Sequence, residues 1–171
     1  MAHARRARAR PLGRHLDPEL AVAVFICPRC AHREASSERA EGHQPRGCAK
    51  CGFGFAFEIM DDYYAGPVTA LIACDQQRRV LVAGHAAGPV TGWPEGAMIG
   101  QDVAQALGLR FPDAPDDPLE RVMEWGVRAM AQPCTYRPHG MDEDRPAVAD
   151  LFPAYDDDGG LLLALTPHTK G

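Results

Sequence analysis

Apolar positions change their spacing repeatedly along this chain, and each change marks an element. "AVAVFI" at 21–26 is a continuous run rich in valine and isoleucine, which predicts a strand delivering Cys27. "FGFAFEI" at 53–59 alternates, with Phe53, Phe55 and Phe57 on one side, and predicts a strand leaving Cys51. The polar stretch between them is punctuated by Gly42, Pro45 and Gly47 and predicts a loop. "VTALIACD" and "VLVAG", separated by the polar "QQRR", predict a β-hairpin. The segment from His85 to Leu109 is rich in small residues and broken at Pro89 and Pro94, so it predicts short helical pieces.

"DDPLERVMEWGVRAMAQ" predicts one longer helix over 118–132. Asp116 or Asp117 can cap it, Pro118 suits its first turn, and Leu119, Val122, Met123, Val127 and Met130 form an apolar stripe. "PCTYRPHG", "RPAVADLFPAYDDDGG" and "LLLALTPH" predict three more strands, the last two joined by a tight turn at "DDDGG". Two strands, helices, then three strands make an α+β layout built on a five-stranded antiparallel sheet. The predicted boundaries are a mobile basic arm at 1–18, a cysteine module at 19–59, and an α+β domain with its own core at 60–168.

Composition adds an asymmetry of charge. Of the 171 residues, 1–60 carry ten Arg/Lys and six Asp/Glu, a balance of +4; 61–171 carry eight and seventeen, a balance of -9. The acidic part would repel nucleic acid. The arm, with Arg5, Arg6, Arg8, Arg10 and Arg14, is a candidate phosphate contact, and the alternative is a solvated tail. The longest apolar run, "LAVAVFI" at 20–26, falls far short of the ~20 residues a spanning helix needs. As a signal peptide it reads poorly, because Asp17 and Glu19 interrupt its approach and no small-residue cleavage pattern follows. A cytoplasmic location is expected, where paired thiols hold metal more often than they form disulfides.

The chemistry concentrates in "CPRC" and "CAKC". Cys27/Cys30 and Cys48/Cys51 are two CxxC pairs seventeen residues apart, the ligand spacing of a structural zinc ribbon. Each CxxC turn brings two sulfurs to one side of a tight loop, and two such turns make a tetrahedron. Gly47 and Gly52 ease the second turn, while Arg29, Arg33, Arg46 and Lys50 can offset the charge of four thiolates. Structural Zn2+ is the expected cofactor, iron its main metal rival, and a redox pair less suited to two knuckles flanked by strands. His32 and His43 are expected to be solvated. A module of this size has almost no core, so the metal should fold it. Four cysteines leave no open position for water, which argues for structure rather than catalysis.

The stretch from Ala70 to Leu109 resembles the first half of a PAS domain. Asp75, Val80, Leu81, Ala86, Ala87, Val90, Thr91, Gly92, Trp93, Glu95, Ile99 and Gly100 carry the likeness, which extends over about 66–168. His85 departs from the asparagine frequent in that family, and Arg79 from its hairpin glycine. The resemblance implies helices on one side of the sheet, enclosing a cavity, and pairing through sheet faces, hence a homodimer. The implied ligand pocket takes in Cys74, Ala83, His85, Trp93, Met98, Val103, Leu107, Met123 and Trp125, with an unidentified small molecule or the chain's own side chains filling it. Cys74 and Cys134 read as small buried residues, and neither matches the flavin-reactive cysteine of light-sensing relatives. The 118–132 helix has no histidine for haem, which leaves His85 and His139 as ligand candidates.

No nucleophile elbow, P-loop or helical metal-ligand pair is present, so no enzymatic activity is expected. The acidic groups at Asp156, Asp157, Asp158 and within 141–145 read as solvated turns. The expected function is a non-enzymatic regulatory or adaptor protein. Its ribbon would dock on a macromolecule, and its PAS-like domain would sense a signal or bind a protein partner. The alternatives are a transcription-associated nucleic-acid binder, using the arm and exposed phenylalanines, and a haem or flavin sensor.

Overall fold

A computed structural model describes residues 23–36, 47–154 and 160–169. The arginines of the N-terminal arm, Arg46, His43 and the Asp156–158 turn lie outside these residues. Eight strands and three helices are described: β1 (Ala23–Ile26), β2 (Arg33–Ser36), β3 (Phe57–Ile59), β4 (Ala70–Cys74), β5 (Val80–Ala83), α1 (Ala87–Thr91), α2 (Val103–Leu107), α3 (Pro118–Trp125), β6 (Ala129–Tyr136), β7 (Arg145–Pro153) and β8 (Leu161–Pro167). They form a three-stranded sheet, β2-β1-β3, and a five-stranded sheet, β5-β4-β8-β7-β6, with every pairing antiparallel. The α+β class and the five strands stand as expected.

Period-two alternation sorts the large sheet into two faces. Ala70, Ile72 and Cys74 of β4, Ala147, Ala149 and Leu151 of β7, and Leu161, Leu163 and Leu165 of β8 join the core beneath the helices. Leu71, Ala73, Phe152, Leu162 and Ala164 point the other way. There they meet Ile26, Phe57 and Ile59 of the small sheet. The five-stranded sheet is therefore the middle layer of three, with helices on one face and the cysteine module on the other. Tyr63 packs edge-on against Phe152, with ring centroids 4.9 Å apart.

Three segments differ from the sequence expectation. β2 lies inside the stretch read as loop. Its residues, "REAS", have no apolar alternation, and pairing with β1 alone makes them a strand. β3 begins only at Phe57, so Phe53 and Phe55 belong to the turn before it. The helix expected to reach 132 stops at Trp125. Gly126 takes φ 63 and its N–H bonds the Val122 carbonyl, closing the helix with a left-handed cap. Ala129 onward pairs with β7 instead, which takes Val127 and Met130 off the helix.

The helix starts follow their local signals. Asp102 caps α2 by accepting from Gln105 N at 3.0 Å, and Asp117 caps α3 by accepting from Leu119 N at 2.9 Å. Arg78, in the β4–β5 turn, reaches both carboxylates, at 3.4 Å to Asp102 and 3.2 Å to Asp117. One guanidinium thus holds two helix N-termini beside the hairpin tip. Replacing Asp117 by Ala removes a cap and half of this clamp, and should lower the unfolding free energy by about 1–2 kcal/mol, read as a reduced denaturant midpoint.

Candidate metal centre

Cys27 ends β1, Cys30 lies three residues on, and β2 returns the chain alongside. Cys48 and Cys51 form the second turn just ahead of the phenylalanine-rich segment. The two turns repeat one hydrogen-bond pattern. Cys27 N donates to His32 O at 2.9 Å and Ala31 N donates to Cys27 O at 2.9 Å. In the second, Cys48 N donates to Phe53 O at 2.8 Å and Gly52 N donates to Cys48 O at 2.9 Å. The residue after each second cysteine is left-handed, Ala31 at φ 61 and Gly52 at φ 76. Glycine meets this requirement without strain at one knuckle; alanine carries it at the other.

The four sulfurs lie within 4.8 Å of one another. Cys27 Sγ is 3.6 Å from Cys51 Sγ, and Cys30 Sγ is 3.7 Å from Cys48 Sγ. Tetrahedral thiolates at ~2.3 Å from a zinc ion stand ~3.8 Å apart, so these residues fit a metal of that size. All four are free thiols, as are Cys74 and Cys134. Backbone N–H groups of Cys51 and Lys50 point at Cys48, and the Cys51 group above all holds its thiol down at about 6. Burial pushes Cys27 up to about 12, and burial also raises Cys30. A metal entering here at neutral pH displaces protons from the Cys27 side of the cage. Cys51 is the exposed member, and Cys27 and Cys48 are buried.

Of the cations named as charge partners, Arg29 and Lys50 are exposed. Arg33 is engaged elsewhere, donating to Asp61 O and lying 3.7 Å over the Tyr64 ring. Phe53, Phe55 and Phe57 stack in series, with centroids 4.8 Å and 5.8 Å apart. Phe57 is buried, and Phe53 and Phe55 are half-buried against the cluster between the two sheets.

Seven of the nine residues proposed for a ligand pocket come together in or at the border of one core. Cys74, Met98, Val103 and Leu107 are buried in the core beneath the helices, and Ala83, Trp93 and Met123 pack at its border. Trp125 does not face the interior. It is 72% exposed, because α3 ends there and its last residue lies past the sheet. His85 is half-buried with Nε2 3.2 Å from Gly66 O, a strut rather than a pocket wall. His139 stacks on Trp93 with centroids 4.0 Å apart. Tyr136, missed by the sequence reading, is among the largest fully buried side chains, and its hydroxyl donates to Val90 O at 3.2 Å. It stands between sheet and helices with Met98, Leu107, Leu119, Leu151, Leu161 and Leu163, all nearly inaccessible. The Cys74 and Cys134 thiols are pushed up to about 12 by burial.

No protein-family model and no curated protein matches this chain. Among solved structures, the PAS domain of nitrogen regulation protein NR(II) from Vibrio parahaemolyticus is similar over 59% of this chain and 90% of that one, at 16% identity and a TM-score of 0.49. The E. coli DhaR(N)-DhaL complex is similar over 61% of this chain, at 18% identity and a TM-score of 0.44; the match spans 33% of that chain. The C-terminal unit has a PAS-like fold. That assignment stands on its own topology, a five-stranded antiparallel sheet with the helices inserted between its second and third strands and laid on one face. No helix among the described residues is long and apolar enough to cross a membrane.

Purified protein should contain one zinc per chain by elemental analysis, and iron in its place would reassign the cage. Zinc affinity should climb from about pH 6 to about pH 8, since binding releases protons and a higher pH favours the released side. At Gly52, a Cβ meets nothing within 4 Å. Gly52→Ala should therefore cost only the backbone strain, about 1–2 kcal/mol, seen as weaker zinc retention against a competing chelator.

Proposed function

We propose that this is a non-enzymatic regulatory or adaptor protein. A structural zinc ribbon and a PAS-like domain form one docking unit for a protein partner in a reducing, cytoplasmic setting. The observation that carries the reading is the interior of the PAS-like domain. Large side chains, Tyr136 among them, are fully buried between its sheet and its helices, which supports packing over a ligand site there. A closed four-cysteine sphere offers no position for substrate, and the two remaining cysteines are sealed in the core as protonated thiols. The nucleic-acid reading is the less supported one, because Phe57 is buried and Phe53 and Phe55 pack against the cluster between the two sheets. Pairing through the sheet face would have to displace the ribbon, so partner docking is assigned elsewhere. Trp125 and Val127, at the corner between α3 and β6, are exposed apolar side chains suited to it.

Native mass spectrometry tests this reading together with nucleic-acid titration at low salt. The expected mass is the chain plus one zinc, with no small molecule and no salt-dependent binding of duplex DNA or RNA. A copurifying haem, flavin or other organic ligand would replace the adaptor reading with a sensor. Binding that weakens by ~0.9 log units per log unit of salt for each phosphate contact would replace it with a nucleic-acid binder.

A further inference from the structure

The outer face of the five-stranded sheet and the metal cage are mechanically joined at one point. Pro28, between the cysteines of the first knuckle, accepts a hydrogen bond from His85 N at 3.1 Å. Gly84, one residue earlier, lies directly against the knuckle. A Cβ added there would run into the Pro28 carbonyl and lie 2.7 Å from Arg29 Cα. The knuckle backbone thus sits on the exit of β5 with no room for a side chain between them. Downstream of this contact, β1 and β3 lay Ile26, Phe57 and Ile59 over Leu71, Ala73, Phe152, Leu162 and Ala164, all of them buried. Outside this shared cluster the module is held by the Gly84 seat, by Arg33 on the Asp61 carbonyl and the Tyr64 ring, and by Glu58 3.9 Å from Arg128. β1 has four residues, β2 four and β3 three, and β2 buries none of its own.

We propose that metal occupancy of the cage latches the ribbon over the outer face of the sheet, and that metal loss uncovers that face. The inference rests on the structural-metal reading of the four cysteines and adds a regulatory consequence to it. The knuckle that ligates through Cys27 and Cys30 is the same loop that seats Pro28 on Gly84. Without metal its turn is held by two backbone hydrogen bonds, the seat is lost, and three short strands cannot keep the apolar face covered. Cys51, the exposed ligand, is where a competing thiol or chelator reaches the metal first. The central strands keep their partners and their helix-side core, so the sheet outlasts the opening. Coupling of this kind is reciprocal: whatever unseats the ribbon must weaken metal binding by the factor by which metal favours seating.

The test uses the full chain. Zinc content is measured first; a chain that purifies and reconstitutes without metal overturns both the metal reading and the latch. The loaded protein is then treated with excess EDTA in the presence of a reductant. ANS fluorescence, sedimentation and amide exchange are followed together. The expected result is a several-fold rise in ANS signal or a gain in mass from self-association. Exchange protection should be lost in β1 and β3 and retained in β8. Gly84→Val, which leaves every cysteine in place, should give the same uncovering and at least a ~10-fold loss of zinc affinity, about 1.4 kcal/mol. If chelation removes the zinc while dye binding, mass and β1 protection stay unchanged, the metal reading survives and the latch is wrong. Loss of β8 protection along with β1 on chelation overturns it too, because the sheet would then depend on the metal for its own fold.

Discussion

Leu71, Ala73, Phe152, Leu162 and Ala164 place an apolar surface on the side of the large sheet away from its helices. Uncovered, that surface would be a liability for a lone domain. The cysteine module covers it, and the contact serves both parties. The sheet gains a second core, and a module too small to bury a core of its own gains a floor to pack on. The four-cysteine cage stands at the far end of this contact. The cage sets the shape of the first knuckle, the knuckle seats on Gly84, and the strands leading out of both knuckles lie flat on the sheet.

This geometry changes what each half of the chain is. Taken apart, the ribbon is an aromatic-rich metal knuckle with basic residues, and the PAS-like unit a sheet with a free face. Together, Phe57 is buried, Phe53 and Phe55 pack against the cluster between the two sheets, and the outer face of the large sheet is covered by the module. Arg33 shows the same absorption of function into structure. It was a candidate partner for the thiolate charge, but it spans from β2 to the Asp61 carbonyl and the Tyr64 ring, fastening the small sheet to the linker. Trp125 and Val127, at the α3–β6 corner, stay exposed.

On the helix side, the interior is packed with large buried side chains. Tyr136 reaches from β6 across the core to the α1 backbone. Buried hydroxyls need a partner, and this one finds it at Val90 O. Arg78 organises the rim. It holds the N-caps of α2 and α3 to the hairpin turn, so the helical layer is anchored on the sheet independently of any bound molecule.

Much of this was legible in the amino-acid order, because the relevant forces are local. The two CxxC turns, the Asp117 cap with Pro118 behind it, and the hairpin at Asp75–Val80 are short-range arrangements whose residue types dictate their geometry. The α+β order of elements followed from their periodicities, and the PAS-like reading from a family resemblance. One further signal was present and went unused. "LIAC" and "LLLAL" are unbroken apolar runs in an antiparallel sheet, where a face open to water would alternate. Such runs mean cover on both sides. The rest was settled only by long-range contact. "REAS" became a strand because β1 offered it partners, and Gly126 became a helix terminus because β7 claimed the residues after it. Trp125, placed in the implied pocket by the family resemblance, was left in solvent because the helix ran out before the sheet did. That Gly84 must be glycine is invisible in its own neighbourhood; it follows from a loop fifty-six residues away that leaves no space for a methyl group.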